Sequence, residues 1–159
     1  MIKDAEVFVG YNHRGIEKLA TERNAIQTLV LVERVCGICS HSHAWTYAMA
    51  VEAINQLEVP RRGEYIRVIT GELERHSHFL WAGIALHIIG HDSMFMHVWD
   101  KREVIMDMLE ELSGNRVNYA MCTIGGARRD ISPELKASIE KRLDVVEEAL
   151  KRVIDLCVN

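Results

Sequence analysis

Apolar residues recur at steps of three and four along most of the chain, the spacing of helices with one buried face. Ile16, Leu19, Ile26 and Val30 mark a first helix from about Gly15. It runs into an apolar stretch, Thr28 to Val32, that is equally compatible with an extended strand. Ala44, Tyr47, Ala48, Val51, Ile54 and Leu57 predict a second helix, ending near Pro60, whose ring cannot continue it. Ile66, Ile69, Leu73, Leu80 and Ile84 predict one long helix beyond that proline. Phe95, Val98, Ile105, Leu109 and Leu112 predict another, stopped by Ser113-Gly114. Residues 118–131 are Gly-rich and read as irregular. Ser132 and Pro133 suit the cap and first turn of a last helix with the stripe Leu135, Ile139, Leu143, Val146, Leu150, Val153 and Cys157. No repeat or low-complexity segment interrupts this series. The prediction is an all-α fold, a helical bundle, with residues 1–159 as a single domain.

Composition agrees. Only 2 prolines and 3 phenylalanines occur in 159 residues, enough chain for one sizeable core. The 23 acidic residues outnumber the 19 Lys and Arg, giving a net charge of −4, so a basic nucleic-acid footprint is not expected. The longest apolar stretch, Phe79 to Gly90, is too short to span a bilayer and contains His87. No leader sequence is recognisable at the start, and the 4 cysteines then suggest a reducing compartment with thiols free for metal. Met94, Met96, Met106 and Met108 need no functional explanation.

The chemistry concentrates between Arg34 and His43, in the run RVCGICSHSH. Cys36 and Cys39 can share one metal ion, with Gly37 allowing a tight turn between them. A helix starting just afterwards places Cys39 and His43 on one face and the cysteine turn at its N-terminus, where thiolate is favoured over thiol. A CxxC alone has other readings. A thioredoxin-like redox pair wants a βαβ context, which the pattern lacks. Structural zinc wants two more ligands, and His76 and His78, two apart on a helix, face different ways. A four-cysteine iron–sulfur cluster would need the isolated Cys122 and Cys157, which read as packing residues. Two buried free thiols are the plainest alternative.

Further motifs accompany this one in order. Gly10 to Lys18 contains HRGIEK, and Glu72 to His78 reads ELERHSH. Arg102-Glu103 to Asp107, then Ser113-Gly114-Asn115-Arg116, then Gly125-Gly126-Ala127-Arg128-Arg129-Asp130 complete the set. Together they resemble the HRGxEK, RxCGxCxxxH and REx₃D…SGxR…GGxRxD segments of the large, catalytic subunit of [NiFe] hydrogenases. The resemblance is to the energy-converting, membrane-associated branch, which is related to the quinone-site large subunit of complex I, and it extends from about Val9 to about Leu135. The family's second cysteine pair, DPCxxC, and its amino-terminal β-rich part have no counterpart here. The chain therefore reads as the central part of a larger subunit: a fragment, a split gene product or a partial gene.

The resemblance implies a helical core within that large subunit and the reaction H₂ ⇌ 2H⁺ + 2e⁻ in the complete protein, the chain by itself being inactive. It implies a nickel–iron centre, its iron carrying diatomic ligands, with Cys36 and Cys39 as two of four nickel-site cysteines and Cys39 bridging to iron. His43 would bond near the bridging thiolate and tune it, the alternative being a core histidine bonded to a carbonyl. Glu17 would accept the proton released by H₂, oriented by His13 one turn before it; the alternative is a surface glutamate paired with a cation. Arg34, Arg75, Arg128 and Arg129 would line the cavity or a subunit contact, or be ordinary surface arginines. Implied partners are a small subunit with an iron–sulfur cluster, membrane subunits, and the missing carboxyl-terminal part of the large subunit. The implied location is cytoplasmic, peripheral to the membrane. Two other readings remain: a complex I-like NADH-quinone oxidoreductase subunit, disfavoured by the retained cysteines, and a helical scaffold without metal.

Overall fold

The computed structural model describes residues 2–158 except the side chain of Cys157, so the packing role expected of Cys157 lies outside the described residues. Helices dominate: α1 (Ile16–Thr21), α2 (Ala25–Val32), α3 (Ser40–Asn55), α4 (Arg61–Ser77), α5 (Leu80–Ile88), α6 (Asp92–Ser113) and α7 (Pro133–Val158). A two-stranded antiparallel hairpin joins the last two, β1 (Cys122–Thr123) with β2 (Gly126–Ala127), Cys122 opposite Ala127 and Thr123 opposite Gly126. The segment read as irregular thus contains a short hairpin, turned at Gly125 with φ +87°.

Two predicted helices are each broken. The first divides because Asn24 starts a new helix: its side chain accepts from Gln27 N while the Gln27 side chain accepts from Asn24 N. The stretch Thr28 to Val32 is helical, not extended. The long helix after Pro60 breaks at His78-Phe79. There the amides of His78, Phe79, Trp81 and Ala82 bond three residues back, tightening the chain into a 3₁₀ turn. α3 ends earlier than Pro60 implied, at Gln56 in the left-handed conformation (φ 52°). The end of α6 is as read, with Gly114 left-handed at φ 86°. Ser132 Oγ accepts from Leu135 N, 3.2 Å away, at the start of α7 as expected.

The main core lies between α4, α6 and α7. Ile66 and Leu73 meet Ile105, Met108, Leu109 and Leu112, closed by Ile139 and Val146. Met106 and Met94 are also buried, but Met96 is open to solvent. A smaller cluster of Leu29, Ala44, Ala48 and Cys122 joins α2 and α3 to the hairpin. The hairpin is anchored by a buried ion pair. Glu52 takes Arg67 at 3.0 and 2.5 Å, and Arg67 donates to Gly126 O at 2.9 Å and Thr123 O at 2.6 Å. Gly63 permits this approach, since a Cβ there would stand 3.2 Å from Gly126 Cα. No helix among the described residues is long and apolar enough to cross a membrane.

Candidate metal centre

Between α2 and α3 the chain makes a turn, with Arg34 N bonded to Leu31 O and Val35 N to Val32 O. Cys36 follows, and its sulfur accepts from the amides of Ile38 and Cys39, each at 3.3 Å. Cys39 is the N-cap of α3. His43, one turn further on, brings Nε2 to 3.5 Å from Cys39 Sγ. The donor atoms of Cys36, Cys39 and His43 all lie within 4.8 Å of one another, each residue half-buried. The shared face expected of Cys39 and His43 is therefore present. Gly37 is not forced by conformation: its φ is not positive, and an added Cβ would meet only Val117 at 3.8 Å.

The two thiols differ. Burial opposes ionisation of Cys36, but the Cys39 thiol and the amides of Cys39 and Ile38 together outweigh it, and Cys36 titrates below the ordinary thiol range. Burial, the hydrogen bond to Cys36 and the Cys36 charge push Cys39 up to about 11. This is the pattern of two sulfurs sharing one proton. Two sulfurs and an imidazole converging in a half-buried turn suit a soft, thiophilic metal, and they fit as part of a nickel–iron donor set.

The residues around this turn occupy distinct places. Arg14, from the HRGIEK segment, donates to Arg34 O at 2.6 Å and to Val35 O at 3.2 Å, fastening that segment to the thiol loop. A cavity of about 300 Å³ opens there, lined by Arg14, Arg34, Val35, Cys36, Gly37 and Asn118. The Arg34 side chain turns back to Val30 O at 2.8 Å. His13 and Glu17 are exposed, and their side chains make no hydrogen bond or ion pair among the described residues. Arg75 pairs with Glu72 at 3.0 Å on the surface, and Arg128 and Arg129 are exposed. Cys122 is buried in the smaller cluster, its thiol pushed up to about 12 by burial.

Sequence reasoning missed the buried polar groups behind the turn. Glu74 (1 % exposed) accepts from His41 N and from Ser42 N and Oγ. Glu33 (2 % exposed) accepts from Ala120 N at 2.6 Å. His41 is buried with Nε2 3.0 Å from Arg67 O, and His78 reaches to 3.2 Å from Ile38 O. A signal for Glu74 existed: it lies four residues after Thr70 and eight after Ile66, on the buried stripe of α4, where an acid needs a reason.

Comparison with known proteins finds matches in both halves of the chain. The family profile described as nickel-dependent hydrogenase matches residues 14–87, which include the thiols. The profile described as respiratory-chain NADH dehydrogenase, 49 Kd subunit, matches residues 89–159. The chain is 49% identical over 159 residues to the membrane-bound hydrogenase subunit alpha of Pyrococcus furiosus, covering 99% of this chain and 37% of that protein. It is 43% identical over 151 residues to a carbon monoxide-induced hydrogenase of Rhodospirillum rubrum, covering 94% of this chain and 42% of the relative. It is 36% identical over 159 residues to an NADH-quinone oxidoreductase subunit of Desulfotalea psychrophila, covering 99% of this chain and 43% of the relative. The chain thus spans under half the length of these relatives, and across that span it is similar to the large subunits of nickel-dependent hydrogenases and to their NADH-quinone oxidoreductase counterparts.

Proposed function

We propose that the chain acts as part of the catalytic large subunit of a membrane-associated [NiFe] hydrogenase, as helical core of that subunit and donor of two of its four nickel-site thiolates. The carrying observation is the convergence of Cys36, Cys39 and His43 within 4.8 Å at the start of α3. In this reading Cys36 and Cys39 would hold the nickel of a nickel–iron centre whose iron carries diatomic ligands, and the remaining two thiolates would come from a second CxxC outside this sequence. A bound nickel–iron centre would supply H₂ activation and exchange of two electrons. The amides of Ile38 and Cys39 donate to the Cys36 sulfur at 3.3 Å and stabilise its thiolate. His43 tunes Cys39 from 3.5 Å. Arg14 and Arg34 hold the loop and the mouth of its cavity. Glu17, with His13 before it, carries the proton away; its exposure on α1 suits the solvent end of such a path.

Partners in this reading are a small subunit with an iron–sulfur cluster, which takes the electrons, membrane subunits, and the polypeptide bearing the second CxxC. The chain would then sit at the cytoplasmic side of the membrane, held there by its partners. The match of residues 89–159 to the 49 Kd profile is the observation behind a second, quinone-site reading. The retained thiols favour the hydrogenase reading over it.

The test is metal analysis of the assembly purified with its partners. Nickel and iron in stoichiometric amount are expected, with nickel lost from the Cys39→Ser assembly and retained in the Glu17→Gln assembly, whose hydrogen uptake slows. An active assembly without nickel overturns the reading.

A further inference from the structure

The thiol loop is held from another helix. The first amides of a helix have no partner within it, and Ser, Thr, Asp or Asn usually supplies one from the N-cap position. Here the N-cap is Cys39, whose side chain makes no capping bond. Glu74 of α4 does the capping instead. One carboxylate oxygen accepts from His41 N at 2.6 Å and lies 3.5 Å from Ser40 Oγ; the other accepts from Ser42 N at 3.0 Å and Ser42 Oγ at 2.6 Å. Ser77 Oγ in turn donates to Glu74 O at 2.7 Å. The arrangement leaves the Cys39 sulfur free to face His43, while the charge on Glu74 sits where the helix dipole favours it.

Building on the metal-centre reading above, we propose that Glu74 is a positioning residue for the Cys39–His43 donor pair: it fixes the first turn of α3 and so sets the sulfur and imidazole geometry presented to a thiophilic metal. A cysteine at the N-cap cannot both cap the helix and ligate, so the cap is transferred to α4. Both donors lie within two residues of an atom that Glu74 holds. Glutamine in its place keeps the size but turns an NH₂ toward a backbone amide or hydroxyl donor, so one side of the cap is lost.

The test titrates the full chain, reduced and free of oxygen, with Co²⁺, reading the thiolate-to-cobalt absorption band. Glu74→Gln is compared with Glu140→Gln, an exposed residue of α7 paired with Lys136. Helix content is expected to be equal in both. Glu74→Gln is expected to bind Co²⁺ about tenfold or more weakly, with a shifted band, and Glu74→Asp to recover part of the loss. Wild-type affinity and an unshifted band in Glu74→Gln overturn the proposal. If Glu74→Gln does not fold, Ser42→Ala decides, since it deletes one of the four contacts; an unshifted band there overturns it equally. If the wild-type chain gives no thiolate–cobalt band, Cys36, Cys39 and His43 do not hold metal without the second CxxC, and the metal reading is judged by the assembly alone. The ¹⁵N shift of the His43 ring then judges Glu74: a change in Glu74→Gln supports the positioning role, and no change overturns it.

Discussion

At the scale of single residues the chain is unusual for acids it buries without a full counter-charge in contact. Glu52 has Arg67 in bidentate contact. Glu33 is buried to the same degree, but its nearest guanidinium, Arg34, stands 3.9 Å away and is half-exposed. Burial pushes the Glu33 carboxyl above its ordinary value of 4.5, only partly opposed by the Ala120 amide and the charges of Arg34 and Arg128. The folded chain therefore holds the Glu33 proton more tightly than the unfolded chain does. Its contribution to stability is fully present below the ordinary value and is lost as pH rises through the folded value. Glu33→Gln keeps an oxygen for Ala120 N and removes this titration. Its melting temperature is expected to match wild type at low pH and to exceed it increasingly as pH rises above 4.5. Equal melting profiles across that range would show that Glu33 is compensated in some other way. Arg67, by contrast, leaves Glu52 with a depressed carboxyl, through its hydrogen bond first of all, so that pair adds stability that is lost only on acidification.

At the scale of elements, what was legible in the sequence follows from local rules and what was not follows from tertiary ones. The end of α6 at Gly114 and the start of α7 at Ser132-Pro133 were readable because caps are local. The proximity of Cys39 and His43 was readable because four residues make one helical turn. The break at His78-Phe79 was not, since the apolar period runs through it from Leu73 to Leu80. What favours the turn is His78 reaching Ile38 O, forty residues away in sequence. Glu74 escaped for the same reason, since its partners lie in α3. The crossing of α3 and α4 depends on close approach at Gly71, where a Cβ would stand 2.9 Å from Trp45 Cζ3. Alanine there gains about 1 kcal/mol of helix propensity but forces the indole aside at about 1–3 kcal/mol. Gly71→Ala is therefore expected to lower the melting temperature by about 2–4 °C. A higher melting temperature would mean that the indole moves freely and that α3 and α4 are not closely fitted.

At the scale of the whole molecule the apolar pattern exceeds what the chain covers. Several positions of the predicted stripes are open: Ile26 is 71% exposed and Ile54 82%. α5 is the extreme case. Its inner side, Leu80, Gly83 and Leu86, packs on the rest, while Trp81 (55% exposed), Ala85 and Ile88 (77%) share an outer face at steps of four and three. Ile89 (73%) continues that apolar surface beyond the helix end, and Met96 (62%) adds to it from α6. A helix apolar all round belongs inside a larger structure, and exposed apolar patches of this kind drive association in water. The same surplus explains why hydrophobic periodicity located the helices well and their buried faces less well: the sequence encodes faces that this chain alone does not bury. Light scattering is expected to give a mass above the 18.2 kDa of one chain, rising with concentration. The double variant Ile88→Glu, Ile89→Glu places two charges on the open face and adds to a net charge already at −4, so it is expected to return the mass toward a single chain with helix content unchanged. A wild-type chain that stays at 18.2 kDa at every concentration would mean that the open face of α5 is too small or too divided to associate. A double variant that associates as strongly as wild type would move the contact elsewhere, to the exposed apolar residues Val7, Phe8 and Val9 ahead of α1.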